Sequence, residues 1–102
     1  MGKVEKVEKF YCYMLLCNDN TIYTGYTTNL KNRLKNHNSG FGGRYTSTRR
    51  PCLLAYYEEY DDKSSAMKRE YFIKHHLTRK DKLQMIRGMG ILETEGKIWE
   101  II

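Results

Sequence analysis

The segment that most constrains the fold is residues 10–38, where two short apolar stretches and a helical pattern follow one another directly. Residues 11–17 (YCYMLLC) and 21–27 (TIYTGYT) are rich in aromatic and β-branched side chains, which favour strands. The Asn-Asp-Asn sequence between them is typical of a turn, because Asn and Asp tolerate left-handed backbone geometry. We therefore predict a β-hairpin that leads directly into a helix.

Alternation along the first strand divides its side chains between two faces of the sheet. One face is predicted to carry Phe10, Cys12, Met14 and Leu16. The other face is predicted to carry Tyr11, Tyr13, Leu15 and Cys17. In the second strand, Tyr23 and Gly25 share a face.

The helix that follows carries two polar side chains on its inward side. Thr28 or Asn29 can cap it, and it is predicted to end near Asn38. The stripe at spacing i, i+3, i+4 and i+7 consists of Leu30, Arg33, Leu34 and His37. An ionised side chain that is buried without a partner is costly, so this stripe indicates either a paired charge or a site.

The remainder of the chain supplies one more strand and two more helices. Residues 39–50 are predicted to form a loop, since they include three glycines and three arginines. A strand is predicted over residues 52–60, a helix over residues 64–76, and a last helix that ends at Arg87 with Gly88 as its stop. The fold class is therefore α/β in the α+β arrangement: a three-stranded antiparallel sheet flanked by helices, in the order β-β-α-β-α-α.

A chain of 102 residues has the size of one domain. We expect a lead-in over residues 1–9, a folded domain over residues 10–87 and a C-terminal tail over residues 88–102. The tail has two interpretations: a hairpin around residues 95–96, or an ordered segment that packs Trp99 on the domain.

The charge balance favours an anionic partner. Eighteen Lys and Arg residues against twelve Asp and Glu residues give a formal net charge of +6. Such an excess suits nucleic acid or an anionic membrane surface, although it also serves solubility alone. Because no basic amphipathic helix with a broad apolar face is apparent, nucleic acid is the preferred partner.

Cysteine usage and the absence of targeting signals indicate the cytoplasm. Cys12, Cys17 and Cys52 have no CxxC spacing, so we expect small core side chains in a reducing compartment. The N-terminal segment lacks the apolar run of a signal peptide, and no stretch is long and apolar enough to span a membrane. The expected location is cytoplasmic and the expected state is a monomer, with self-association through the tail as the alternative.

Three polar residues occupy positions where the helical pattern predicts apolar ones: Arg33, His37 and Glu70. Glu70 lies in the middle of the apolar stripe of the helix over residues 64–76. One interpretation is structural, with an Arg33–Glu70 salt bridge beside His37 and with Tyr13 and Tyr23 as ordinary sheet packing. The other is chemical, because two tyrosines, an arginine, a histidine and a glutamate form a plausible phosphodiesterase set.

Several separated motifs resemble the GIY-YIG nuclease family. YCY at residues 11–13 and YTG at residues 23–25 stand in place of the two name-giving motifs and match them in the tyrosines and the glycine. NLKNRLKNHNSG, RYTS, RRP and REYFIK follow where the small stand-alone bacterial members, the UPF0213-like proteins, have similar segments. The resemblance covers residues 10–86 and implies a nuclease.

The resemblance also implies roles for individual residues. Arg33 matches the arginine that contacts the scissile phosphate, and Gly25 matches the glycine that lets backbone and substrate approach closely. Glu70 matches the carboxylate that holds one divalent ion, Mg²⁺ or Mn²⁺. Tyr13 and Tyr23 match the tyrosines of the two motifs.

The general base stays open among three residues. His37 lies where family members carry tyrosine or histidine, and imidazole is well matched to proton transfer near neutral pH. A free tyrosine titrates near pH 10 and is a poorer base, but a nearby cation lowers its pKa. The candidates are Tyr13, Tyr23 and His37.

Positive side chains outside this set are expected to contact the phosphate backbone, which gives salt-sensitive affinity without sequence preference. The candidates are Lys31, Lys35, Arg44, Arg49, Arg50 and Lys74. Tyr45 is a candidate for stacking on a base, or equally a loop tyrosine that packs on the domain. The acidic run over residues 58–62 is expected to be solvated surface.

The predicted function is a metal-dependent endonuclease that hydrolyses phosphodiester bonds in DNA, either structure-selective or of low specificity, with DNA repair as the expected context. DNA is preferred over RNA. One alternative is a nucleic-acid-binding module with the nuclease frame and little activity. Another is an interaction domain that self-associates through residues 91–102. Because Glu70 is far along the chain from Arg33, the site requires that its helix fold across the hairpin.

Overall fold

The computed structural model describes residues 8–40 and 43–91, and it confirms the α+β class with a three-stranded antiparallel sheet. The predicted lead-in over residues 1–9 and the tail over residues 88–102 therefore lie mostly outside the described residues. No helix in the described ranges is long and apolar enough to cross a membrane. The elements are β1 (Phe10–Leu16), β2 (Ile22–Thr27), α1 (Leu30–Asn38), α2 (Arg44–Ser47), β3 (Leu53–Tyr60), α3 (Lys63–His76) and α4 (Arg79–Met89).

The sheet places the first strand at its centre, in the order β2-β1-β3. The hairpin turn is stabilised by Asp19, whose carboxylate accepts hydrogen bonds from the backbone N–H and the hydroxyl of Thr21. Asn20 adopts the left-handed conformation that the turn requires, with φ of 66°. The resulting register sets Tyr13 opposite Gly25 of β2 and Tyr57 of β3.

The predicted alternation of side chains along β1 is confirmed by two separate core clusters. On one face, the helices α3 and α4 contribute to a cluster of Cys12, Met14, Ala55, Ile73 and Ile86. On the other face, α1 contributes to a cluster of Tyr13, Leu15, Cys17, Leu34 and Cys52. All three cysteines are buried and free, as expected of small core side chains.

Two predicted features are wrong in detail. The predicted loop over residues 39–50 contains the short helix α2, which begins after Gly43 at a φ of 125°. The last helix continues through Gly88 to Met89 and ends at Gly90, whose φ of 71° is left-handed. Gly90 N–H donates to the carbonyl of Ile86 and thereby closes the last turn.

The acidic run over residues 58–62, which begins within β3, is not uniformly solvated, because Glu58 is half-buried and hydrogen-bonded. Arg69 of α3 donates to its carboxylate at 2.9 Å, and the hydroxyls of Tyr56 and Tyr60 donate to it as well. Burial alone would raise the pKa of Glu58, but these hydrogen bonds outweigh burial and hold the pKa below its usual value. Glu58 therefore ties α3 to β3.

Gly25→Ala is expected to destabilise the domain by about 1–3 kcal/mol, the usual cost of overpacking a core. A Cβ atom at Gly25 would lie 2.5 Å from the hydroxyl oxygen of Tyr13 and 2.6 Å from its Cζ. The Tyr13 ring is buried and hydrogen-bonded, so it cannot move aside cheaply. Urea unfolding measures the change.

Gly88→Ala is the matched control, since a Cβ there meets nothing within 4 Å and the residue is helical. This substitution is expected to be neutral or to stabilise by up to about 1 kcal/mol. Equal unfolding midpoints for Gly25→Ala and the unmodified protein would contradict the proposed close packing.

Candidate functional site

A buried chain of hydrogen bonds lies at the centre of the candidate site. The Tyr13 hydroxyl is 2.9 Å from Nε2 of His37, and Nδ1 of His37 is 2.6 Å from Oγ1 of Thr46. Arg33 donates from Nε to the Tyr13 hydroxyl at 3.4 Å. Tyr13, His37 and Thr46 are each at most 1% exposed. The chain therefore joins the central strand β1 to both α1 and α2.

Burial and the nearby positive charge of Arg33 keep the His37 side chain neutral in this row of hydrogen bonds. Its pKa falls from 6.5 to about 4, because burial penalises the imidazolium and the nearby Arg33 charge opposes it. A neutral imidazole donates from one nitrogen and accepts at the other. One ring nitrogen of His37 therefore donates and the other accepts, so the hydroxyls of Tyr13 and Thr46 are hydrogen-bonded to the ring in opposite senses.

Tyr23, the tyrosine of the second motif, lies beside the hydrogen-bonded residues Tyr13 and His37 and is only half-buried. Its ring centroid is 5.0 Å from that of His37 and 6.3 Å from that of Tyr13. Burial raises the pKa of the Tyr13 hydroxyl, so that group stays protonated at neutral pH. Of the three candidate bases, Tyr23 is thus the one that solvent reaches.

Arg33 is held between the two tyrosines by the inward stripe of α1. Leu34 and His37 of that stripe are buried, whereas Arg33 is half-buried at the edge of the site. Burial works to lower the pKa of Arg33, but hydrogen bonds to the Tyr13 and Tyr23 hydroxyls outweigh burial and raise it. The guanidinium is therefore a permanent positive charge whose orientation is set by neighbouring hydroxyls.

Glu70 is brought to the same region because α3 packs across all three strands. Ala66 and Ile73 hold α3 on the sheet and are fully buried, and Glu70 lies half-buried on the same side of the helix. The Glu70 charge contributes to the raised pKa of Tyr13. The predicted folding of this helix across the hairpin is therefore observed.

Residues 9–84 match the family model of the GIY-YIG catalytic domain. This chain belongs to the GIY-YIG family. A UPF0213 protein of Staphylococcus haemolyticus is 53% identical over 78 residues, which make up 76% of this chain and 94% of the relative. A UPF0213 protein of Pediococcus pentosaceus is 43% identical over 95 residues, which make up 93% of this chain and 99% of the relative. These names state no activity.

Solved structures of relatives support the fold of the GIY-YIG domain. The solution NMR structure of a UPF0213 protein from Bacillus halodurans is 41% identical, with a TM-score of 0.53, and covers 81% of this chain and 87% of that one. A solution NMR structure of an E. faecalis protein is 40% identical, with a TM-score of 0.56, and covers 86% and 93%. The resemblance drawn from the motifs is thus confirmed, and the family implies a nucleic-acid substrate.

Glu70 is the candidate carboxylate for a divalent ion in the GIY-YIG domain. Nucleases of this family generally use divalent metal ions. Within the described part of the chain, no group of three or more His, Cys, Asp or Glu side chains is arranged to hold a metal. Mg²⁺ is commonly held by one or two carboxylates together with substrate phosphate and water, and Glu70 fits that requirement as the protein's carboxylate.

Four predicted phosphate contacts lie on the surface of the GIY-YIG domain. Lys31 and Lys35 are exposed on the outer side of α1, Arg44 is exposed at the start of α2, and Lys74 is exposed on α3. They are spread over three helices, α1, α2 and α3. Their roles stay predictions.

The other two arginines have partners within the protein. Arg49 forms an ion pair with Asp19 at 2.9 Å and lies over the Tyr45 ring at 4.0 Å. Arg50 donates to the carbonyl of Ser47 and lies against Gly40. The Tyr45 ring also lies 5.7 Å from that of Tyr23, so it contacts the domain, but the residue is 38% exposed and its role in stacking on a base stays a prediction.

Thr46 is the residue of this site that sequence reasoning missed. It was visible within RYTS, but its contact with His37 spans two helices and a stretch of loop. Sequence reasoning also missed a pair of hydrogen bonds between Asn38 and Cys52. The Asn38 side-chain amide donates to the carbonyl of Cys52 and accepts from the backbone N–H of Cys52. Asn38 thereby fixes the end of α1 to the start of β3.

Acidification is expected to destabilise the domain through His37. Between pH 6.5 and about 4 the unfolded chain binds a proton at this residue and the folded protein does not, so stability falls as pH falls. One pKa unit corresponds to about 1.4 kcal/mol, and the expected loss between pH 7 and pH 4 is about 3 kcal/mol. Urea unfolding across this pH range measures it.

His37→Gln tests the assignment, since glutamine hydrogen-bonds but does not titrate. Its free energy of unfolding is expected to depend less steeply on pH than that of the unmodified protein. His75→Gln replaces an exposed histidine and should leave the steeper profile in place. Parallel pH profiles for His37→Gln and the unmodified protein would exclude His37 as the group responsible.

Proposed function

We propose that this GIY-YIG domain is a metal-dependent endonuclease that hydrolyses phosphodiester bonds in DNA, with structure-selective or low sequence specificity. The observation that carries the proposal is that Arg33 donates to the Tyr13 hydroxyl beside Tyr23, on strands across which the helix of Glu70 packs. Arg33, Tyr23 and Glu70 each supply a function that phosphodiester hydrolysis needs. Arg33 neutralises charge, Tyr23 handles the proton of the attacking water, and Glu70 provides the ligand for a divalent ion.

Arg33 is proposed to bind the non-bridging oxygens of the scissile phosphate. A guanidinium presents a planar fork of donors that matches phosphate geometry. Hydroxyl groups of Tyr13 and Tyr23 already orient it, so little conformational freedom is lost on substrate binding. Its charge is then in place where negative charge develops in the transition state.

Tyr23 is proposed as the general base. It is half-buried, whereas Tyr13 and His37 are closed off from solvent and neutral. Its hydroxyl is hydrogen-bonded to the Arg33 guanidinium, which places it beside the proposed phosphate site. Tyr23 would accept the proton of the attacking water, and the leaving oxygen would take a proton from solvent.

The buried chain of Tyr13, His37 and Thr46 is proposed to hold this arrangement rather than to exchange protons with substrate. Its members are hydrogen-bonded to one another and at most 1% exposed. Tyr13 contacts Arg33 directly, and His37 fixes the Tyr13 hydroxyl. The Tyr13 ring lies over Gly25. These three hydrogen-bonded residues therefore position Arg33 relative to Gly25.

Glu70 is proposed to hold one Mg²⁺ or Mn²⁺ ion. When bound, such an ion stabilises negative charge on the phosphate and on the leaving oxygen. Lys31, Lys35, Arg44 and Lys74 are proposed to add sequence-independent affinity for the phosphate backbone. We propose DNA as the preferred substrate, the cytoplasm as the location and the monomer as the active state.

Cleavage of a panel of labelled nucleic acids tests the proposal. The panel contains single-stranded, duplex, flap and forked DNA and a single-stranded RNA, each with Mg²⁺, with Mn²⁺ or with a chelator. We expect metal-dependent cleavage of at least one DNA substrate. If no substrate is cut with either metal, the nuclease proposal fails, and binding that persists without cleavage would support a non-catalytic nucleic-acid-binding domain.

A further inference from the structure

The outer side of α3 exposes large apolar side chains that the core does not need. Ala66 and Ile73 anchor the helix on the sheet and are fully buried. Met67, Tyr71 and Phe72 are nevertheless 44%, 59% and 43% exposed. Within the described ranges, Tyr71 is the most exposed of the large hydrophobic residues.

Helical spacing places part of this exposed surface directly beside Glu70. Met67 precedes Glu70 by three residues and Lys74 follows it by four, so both lie on the same flank of α3. Tyr71 follows Met67 by four residues and precedes Lys74 by three, and it therefore extends that flank toward solvent. We call Met67, Tyr71 and Lys74 the Glu70 rim.

The Tyr71 ring contacts a neighbouring side chain on its own helix, but most of it stays exposed to solvent. The ring of His75, one turn later, lies 4.2 Å from it on the helix surface. Tyr71 is still more than half exposed. The other exposed tyrosine near the site, Tyr45, differs, because Arg49 stacks on it and Tyr23 packs beside it.

The charge around the rim selects the kind of partner. Lys68 and Lys74 are exposed on either side of Tyr71, and Arg79 and Lys80 are exposed just beyond the end of the helix. A second copy of this chain would bring like charges together across the surface. A nucleic-acid strand instead offers phosphates to the lysines and a flat base to the ring.

We infer that the Glu70 rim is a platform on which Tyr71 stacks an unpaired nucleobase next to the scissile phosphate. This inference rests on the proposed function and narrows its substrate class. A base inside a duplex is stacked on its neighbours and cannot present its face to Tyr71. The domain should therefore prefer DNA with an unpaired nucleotide at the cleavage point, such as a single strand, a flap or a fork.

Binding without cleavage tests the platform. Fluorescence anisotropy in the presence of a chelator compares a short oligothymidylate with an abasic strand of the same length and charge. The unmodified protein is expected to bind the oligothymidylate about tenfold more tightly, the typical worth of one stacked base. Tyr71→Ala should abolish this preference, and Tyr71→Phe should keep it.

Phe72→Ala is the matched control, because Phe72 is similarly exposed but lies on the opposite flank, against Arg69 and His76. It should retain the preference for bases. Equal affinity of the unmodified protein for both strands, or an undiminished preference in Tyr71→Ala, would overturn the platform. So would a dimer in sedimentation velocity that Tyr71→Ala converts to monomer, since the rim would then bind a second copy.

The platform and the nuclease proposal fail in different ways. A base preference that depends on Tyr71, without cleavage of any substrate, would keep the platform and remove the nuclease. Metal-dependent cleavage without a base preference would keep the nuclease proposal and remove the platform.

Discussion

Replacing Glu70 with Gln is expected to lower the rate of DNA cleavage by about a thousandfold. Glutamine keeps the size of this half-buried side chain but removes the charge that attracts a hard divalent cation. Metal stabilisation of transition-state charge is worth several kcal/mol, and each 1.4 kcal/mol is about tenfold in rate. Single-turnover cleavage of the best substrate, with saturating enzyme, measures the loss.

A readout that does not depend on cleavage separates metal binding from other effects of Glu70→Gln. The affinity for Mn²⁺, followed by the paramagnetic relaxation of water protons, should weaken together with the rate. Glu59→Gln removes an exposed carboxylate from β3 and should change neither quantity. Unchanged cleavage in Glu70→Gln would remove Glu70 from the site.

The faces of the elements could be predicted from the sequence because each follows a fixed period. Strand alternation assigned Cys12 and Tyr13 to opposite sides of the sheet, and each lies in a different core cluster. Helical spacing assigned Arg33 and His37 to the inward side of α1, where both are observed.

Features that depend on contacts distant in the chain were not predictable in the same way. Thr46 matters because it contacts His37, and Glu58 matters because it contacts Arg69. Neither contact leaves a periodic trace in the sequence. The end of α4 was also ambiguous, since Gly88 and Gly90 are chemically identical and only the structure shows which of them is left-handed.

Burial narrows the list of candidate general bases, which side-chain chemistry alone leaves at three residues. Imidazole is the better base at neutral pH, which favoured His37. The structure encloses His37 completely and lowers its pKa to about 4, so it accepts protons poorly. Burial thus moves the proposed base to Tyr23 and gives His37 a positioning role.

Replacing Arg33 with Ala is expected to lower kcat/KM by at least about a hundredfold, the usual loss when one donor to transition-state charge is removed. Arg33→Lys should recover only part of the rate, because an ammonium keeps the charge but lacks the planar fork. Arg44→Ala, at an exposed position, should instead weaken binding and reduce its salt dependence by about one charge. Cleavage kinetics at several salt concentrations distinguish these outcomes.

The pKa of His37 provides an independent check on Arg33. The charge of Arg33 contributes to the lowered pKa of His37, so Arg33→Ala should raise that pKa while the ring stays buried. An NMR titration of the imidazole measures the shift in the absence of substrate and metal. If cleavage falls but the His37 pKa is unchanged, Arg33 acts on the phosphate from outside the buried chain. If cleavage is unchanged, Arg33 does not contact the scissile phosphate.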